Sequence, residues 1–531
     1  MSTLDTQKIQ EHLQAFRANP VEMMQQIPPK LDQEGNEVAV ASPIGAEDAQ
    51  TATYSSGRDQ LRTGMIEQEK TRAAYAANDN PRNLVDTFTH ETLASIESAG
   101  LKSARLDEQP WSGDYWATAQ GGLSNRYAGC MAYGWKEGFD YIRNHPSKVI
   151  LGSGSEVWVN ELSPAEKYDA LVGDASEGLT RASWLKGKAY FEQHGEVPGW
   201  FGICHGWSPA SYMLPRAKKS VKVVTPGNVS LTFFPCEIKA LASLLWAESR
   251  PVTRFIGGRC NTEKPAFDPE TGRVVTMVNP LIAADYPPEE PLDPEMPPPG
   301  TEEISLSSEH WNEETGEVDG RTGGRPTEAN CFDTNPGSWH LAMVNQIGVS
   351  RRSMIMDASF DYQVWNQPLL GYTYTYFNPQ TLQATEVLQE ATVTRAAFTS
   401  DIFKKYRSPR MASVVGVIMK ATYMGENGNE QVHEDVPEND SIIDVYYYYD
   451  LELDASGKII GGEWYTNAHP DFLWTPPKGG RAVSRYEQMV TGAWEAGKPM
   501  PASWQAAAKK ASAELTPLAA VVEHLLKLAN N

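Results

Sequence analysis

The stretch Gly199-Trp200-Phe201-Gly202-Ile203-Cys204-His205-Gly206-Trp207-Ser208-Pro209-Ala210-Ser211 places a cysteine just past an aromatic, glycine-rich approach. It reads as the start of a short helix. Pro209 fits a first helical turn, which has no backbone N–H bonds to lose, and Pro215 stops the helix within about two turns. A cysteine at a helix N-terminus feels the positive end of the dipole, which favours the nucleophilic thiolate. Gly202 and Gly206 would keep the approach open for a substrate carbonyl. On these residues alone, Cys204 reads equally well as a small buried hydrophobe, the usual fate of a free cysteine.

Composition bounds what surrounds that stretch. The chain has 531 residues, enough for several domains or one large elaborated one. Its 68 acidic and 46 basic residues give a net charge of −22, which disfavours nucleic acid and anionic membranes and suits lysine-bearing substrates. No apolar run is long enough to span a bilayer. Met1-Ser2-Thr3-Leu4-Asp5-Thr6-Gln7 lacks a basic start followed by an apolar core. The expectation is a protein without a signal peptide, cytoplasmic or exported as an effector by a signal-independent route. Five cysteines (130, 204, 236, 260 and 331) are too scattered for a disulfide framework. Cys260 and Cys331 flank an acidic loop and are compatible with a bridge or with two free thiols. Without paired CxxC spacing or a His cluster, no structural zinc is expected.

In chain order, residues 1–104 read as a helical, partly flexible extension, with helical spacing at Ile9, Leu13, Phe16 and again at Leu84, Phe88, Leu93, Ile96. Ser163-Pro164-Ala165-Glu166 is a helix start, with Ser as N-cap, Pro at the first position and Glu at the third. Val221–Val224 reads as a strand and Pro235–Glu248 as a helix. Residues 281–325 form an acidic, proline-rich insertion that no packed helix or central strand accommodates. Its carboxylates are the hard ligands calcium takes, but the spacing matches no EF-hand, so it reads as a solvated loop. Beyond it, His340–Asn345 and Ser353–Ala358 read as neighbouring strands joined at Gly348-Val349-Ser350. Val414–Tyr423, Ile442–Leu453 and Ile459–Trp464, with turns at Asn427-Gly428 and Ser456-Gly457, predict an antiparallel meander. Residues 481–531 form a C-terminal helical segment.

A thiolate nucleophile needs a base, and the base an orienting carboxylate. Cys204 opens a helix, His340 opens a strand and Asp357 closes the next, so an antiparallel pair would bring His340 and Asp357 to one end. His205 is the rival base, but successive helical residues point about 100° apart, turning its ring from the sulfur. Asp333 and Asp471 are additional carboxylate candidates, and Trp200 is a candidate oxyanion donor. A helix-borne Cys followed by strand-borne His and Asp resembles the papain- and transglutaminase-like core, an α+β fold with a nucleophile helix on an antiparallel sheet.

Six stretches resemble the transglutaminase elicitor family, known from oomycete transglutaminases and bacterial homologues. They are Trp111–Trp116 (WSGDYW), Ser163–Asp169 (SPAEKYD), Trp200–Ala210 (WFGICHGWSPA), Asp333–Asn345 (DTNPGSWHLAMVN), Asp357–Pro368 (DASFDYQVWNQP) and Gly461–Trp474 (GGEWYTNAHPDFLW). The resemblance covers roughly residues 105–480, the expected catalytic domain. It implies Gln–Lys isopeptide formation, with Cys204 as nucleophile, His340 as base and Asp357 as its orienting carboxylate. It also implies calcium dependence and protein substrates bearing Gln and Lys. Val364–Pro368 matches the start of the peptide plants recognise in the oomycete enzymes, but continues Leu369-Leu370-Gly371-Tyr372 without the basic residue found there. The same core chemistry serves cysteine proteases and glutamine deamidases. A noncatalytic elicitor-like binding protein would retain the scaffold.

Overall fold

The computed structural model describes residues 6–38, 79–127, 134–258, 334–358, 364–404, 407–466, 468–495 and 497–531. The 281–325 insertion, Asp333, Cys130, Cys260 and Cys331 lie outside these residues.

The described strands are β1 (Lys30–Leu31), β2 (Ser103–Arg105), β3 (Val221–Val224), β4 (Ser230–Phe233), β5 (Arg254–Gly257), β6 (Ile355–Asp357), β7 (Asn366–Asn378), β8 (Gln383–Thr385), β9 (Thr392–Thr394), β10 (Ser413–Met424), β11 (Ile442–Leu453), β12 (Ile459–Trp464) and β13 (Phe472–Thr475). Eleven of them form one antiparallel sheet ordered β1-β11-β10-β7-β6-β13-β5, with β12 beside β11, β2 and β8 beside β7, and β9 beside β10. β3 and β4 make a separate hairpin. The fold is therefore α+β with an antiparallel sheet. β10 and β11 are buried along nearly their whole length, which explains their Val-, Ile- and Tyr-rich sequences. They pair continuously from Ser413↔Leu453 to Met424↔Ile442, the long arm of the expected meander.

The register of β7 positions the site. It slips opposite Thr422 and Tyr423, where β7 carries an extra residue, and β10 pairs with β7 no further than Leu369. The first residues of β7 pair on the other edge with β6, Asn366 facing Asp357. The carbonyl of Asn366, turned from β6, accepts a hydrogen bond from Ser208 Oγ at 2.5 Å. The helix Cys204–Met213 thus docks beside β7 where β10 has left it.

That helix also packs against the helix Pro235–Glu248, and here the glycines take another role than the one expected. A Cβ on Gly206 would lie 2.2 Å from the Ser243 carbonyl oxygen, and one on Gly202 2.3 Å from that of Tyr115. Both permit close backbone approach rather than an open path to the sulfur. Pro209 is likewise inside the helix, its sixth residue, beyond the first turn.

His340 and its neighbours correct the expected strand pair. Pro336–Ala342 is a helix, capped by Asn335, whose side chain accepts the Gly337 N–H at 2.9 Å, and it runs into a π-helix over Met343–Val349. Only Ile355–Asp357 of the expected pair is a strand. The ends of the chain share the core with its middle: Leu84, Leu93, Ile96, Cys204, Val522 and Leu525 belong to one buried cluster. Ile9, Leu13 and Phe16 join a second, against Phe377, Tyr448 and Tyr465.

Candidate active site

Cys204 is the first residue of its helix and is 6% exposed. Its neighbours come from the Val364–Gln367 stretch. Asn366 Nδ2 donates to Sγ at 3.5 Å, and Sγ lies 3.7 Å from the Val364 carbonyl oxygen. Trp474 Nε1 donates to Asn366 Oδ1 at 2.7 Å. An indole N–H is a donor only, so it draws the amide oxygen to itself and turns the amide nitrogen to the sulfur. Ile203, preceding the helix, donates its N–H to the Tyr115 carbonyl at 2.6 Å, and the Tyr115 ring meets Trp365 edge-on at 5.3 Å.

Two carboxylates complete the surroundings. Asp357 accepts the Trp365 N–H at 2.9 Å, and Glu426 accepts from Gln367 Nε2 at 2.5 Å. Burial pushes the Cys204 thiol up to about 11; the Asn366 hydrogen bond opposes this, and the charges of Glu426 and Asp357 add to it. Burial likewise raises the Glu426 carboxyl, and it pushes Asp114, whose carboxylate accepts the Trp116 N–H, up to about 6. Burial thus favours the neutral thiol, opposite in direction to the thiolate expected at a helix N-terminus.

His340 sits elsewhere. It is fully buried, its Nδ1 lies 2.9 Å from Tyr449 OH, and its ring meets Tyr374 edge-on at 4.8 Å. Burial pushes it down to about 3, so it is neutral. Asn366 beside Cys204 and Tyr374 beside His340 are eight positions apart on β7, roughly 25 Å of strand. No hydrogen bond among the described residues joins His340 to Cys204 or Asp357. The structure therefore places the Asp357 carboxylate on the Trp365 N–H, in the stretch beside Cys204, and leaves His340 in the tyrosine layer of the sheet. His205, the rival, is held near Lys186 and Glu248, and burial lowers it to about 4. Asp471 is buried, its backbone carbonyl accepting the Thr334 N–H at 2.8 Å. Trp200 packs on Phe201 at 4.5 Å in a side cluster with Trp135 and Trp184.

Asn366, Gln367, Glu426 and Trp474 were not singled out from sequence. Asn366, Gln367 and Trp474 lie inside family stretches, but nothing local ties an amide, an indole or Glu426 to a sulfur more than 150 positions away. Among the described residues, no group of three or more His, Cys, Asp or Glu is placed to hold a metal. No helix of the described residues is long and apolar enough to cross a membrane.

The candidate site is one buried cysteine with amide and carboxylate neighbours. Comparison narrows it: the transglutaminase elicitor family model matches residues 83–282 and 304–495, and the chain belongs to that family. It is also similar to the GP42 transglutaminase of Phytophthora sojae, at 20% identity and a TM-score of 0.45, covering 82% of this chain and 93% of that one. No curated protein matches.

Proposed function

We propose that the protein is a protein-glutamine γ-glutamyltransferase in which Cys204 is the nucleophile and Glu426 accepts its proton. The observation carrying this reading is the buried Cys204 sulfur, which contacts Asn366 of a stretch whose next residue, Gln367, donates to the Glu426 carboxylate at 2.5 Å, in a chain of this family. The helix-borne cysteine against an antiparallel sheet is also what the papain- and transglutaminase-like reading requires. A buried carboxylate with raised basicity suits proton transfer near neutral pH. Glu426 takes the thiol proton, directly or through one water, as Sγ bonds to the γ-carboxamide carbon of a glutamine. The tetrahedral intermediate collapses to a thioester, and ammonia leaves with the proton from Glu426. A lysine amine then attacks the thioester, passing one proton to Glu426, which returns it to the leaving sulfur as the isopeptide is released. Asp357, through the Trp365 N–H, positions the stretch that carries Asn366.

The test is incorporation of a fluorescent primary amine into a Gln-bearing acceptor, with and without calcium, followed by intact mass. Cys204→Ala abolishes incorporation, and Glu426→Gln lowers kcat by about 10²–10⁴. Mass gain of one dalton per Gln without amine would instead mean deamidation, and fragments proteolysis. A wild-type protein that modifies no acceptor under either condition refutes the proposal.

A further inference from the structure

We propose that Asn366 is a catalytic residue, its Nδ2–H group being the side-chain donor that holds the negative charge as it passes from the Cys204 sulfur to the tetrahedral oxygen. This rests on the reading of Cys204 as the nucleophile. Two features of the structure aim the donor. Trp474 Nε1 at 2.7 Å fixes which end of the amide faces the sulfur, and Ser208 Oγ on the Asn366 carbonyl fixes the backbone against the cysteine's own helix. The donor stands 3.5 Å from Sγ, an N–H···S hydrogen bond that can pass to an oxygen on the carbon bonded to that sulfur. No side chain caps the Cys204 helix, and the N–H of its first residue has no intrahelical acceptor, so the Cys204 backbone supplies the second donor. The amide also touches the sulfur in the resting state, where it opposes the charge of the two carboxylates. Val364–Pro368 is on this argument a wall of the active site, with Val364 and Asn366 both on the sulfur.

The experiment compares wild type with Asn366→Leu, which removes the amide without adding charge, and Asn366→Asp, which keeps an acceptor for Trp474. The two share only the loss of the Nδ2 donor. In both, kcat for amine incorporation falls about 10²–10³-fold while KM moves less than about threefold. Iodoacetamide alkylation of Cys204 at pH 9, read by peptide mass, slows about threefold or more, because a lost charge-assisted donor lowers the thiolate fraction. Trp474→Phe leaves the amide in place but free to turn, and gives a smaller loss in both readouts; it serves if the Asn366 variants do not fold. An unchanged kcat in folded Asn366→Leu overturns the proposal, as does unchanged or faster alkylation. If wild type incorporates no amine, the transferase reading fails, and alkylation alone decides whether the donor acts on the sulfur.

Discussion

Cys204 should be a slow, strongly pH-dependent thiol. Burial and the neighbouring carboxylates raise it from 9.0 to about 11, a destabilisation of the thiolate of about 3 kcal/mol. At pH 8 the thiolate fraction is then about 0.1%, against about 10% for the unshifted thiol. A more basic thiolate is intrinsically more nucleophilic, which returns about tenfold. The net expectation is alkylation about tenfold slower than a free cysteine before any steric shielding. The assay is iodoacetamide modification of Cys204 across pH 6–10, quantified by peptide mass. The rate should climb close to tenfold per pH unit over the whole range, and unfolding in urea should restore ordinary reactivity. A plateau reached by pH 7 would refute the reasoning, since it would mean a resting thiolate, the form a helix N-terminus favours.

His340 is buried neutral, so protonation on unfolding should make acid destabilising. Stability is full above pH 6.5 and falls as pH drops toward 3, by up to about 1.4 kcal/mol per unit. Between pH 7 and 5, wild type should lose about 2 kcal/mol more than His340→Gln in urea titrations; equal losses would contradict the burial argument. Lys167 and Glu237 form a fully buried ion pair at 2.6 Å, so Lys167→Met should cost about 3–5 kcal/mol, and adding Glu237→Leu should recover most of it. A single-variant loss below about 1 kcal/mol would show that the pair is wet. Gly206→Ala places a methyl 2.2 Å from the Ser243 carbonyl, and melting should fall by about 1–3 °C from about 1–3 kcal/mol of overpacking. An unchanged melt would mean that the two helices separate freely.

The strands and the caps were legible because their signals are local. Val221–Val224, Ile442–Leu453 and Ile459–Trp464 alternate or run apolar between turn residues, and the structure forms each as read. Ser163 and Glu166 form the capping box their spacing announced. His340–Asn345 failed because a short apolar run fits a buried helix as well as a strand. The arbitrating signal lies in Asn335-Pro336, an N-cap followed by a first-position proline.

The sequence by itself determined the antiparallel strands, the helix starts, the family stretches and the cysteine at a helix N-terminus. Each follows from backbone preferences and periodicities that act over a few residues. Tertiary structure alone decided what stands beside Cys204 and in which protonation state. The register slip in β7 sets Asn366 against the sulfur, and Trp474 from β13 orients its amide. Burial then reverses the effect the helix end would have had on the thiol and carries His340 into the tyrosine layer. Desolvation and through-space neighbours depend on which surfaces meet, and no local pattern in the chain encodes that.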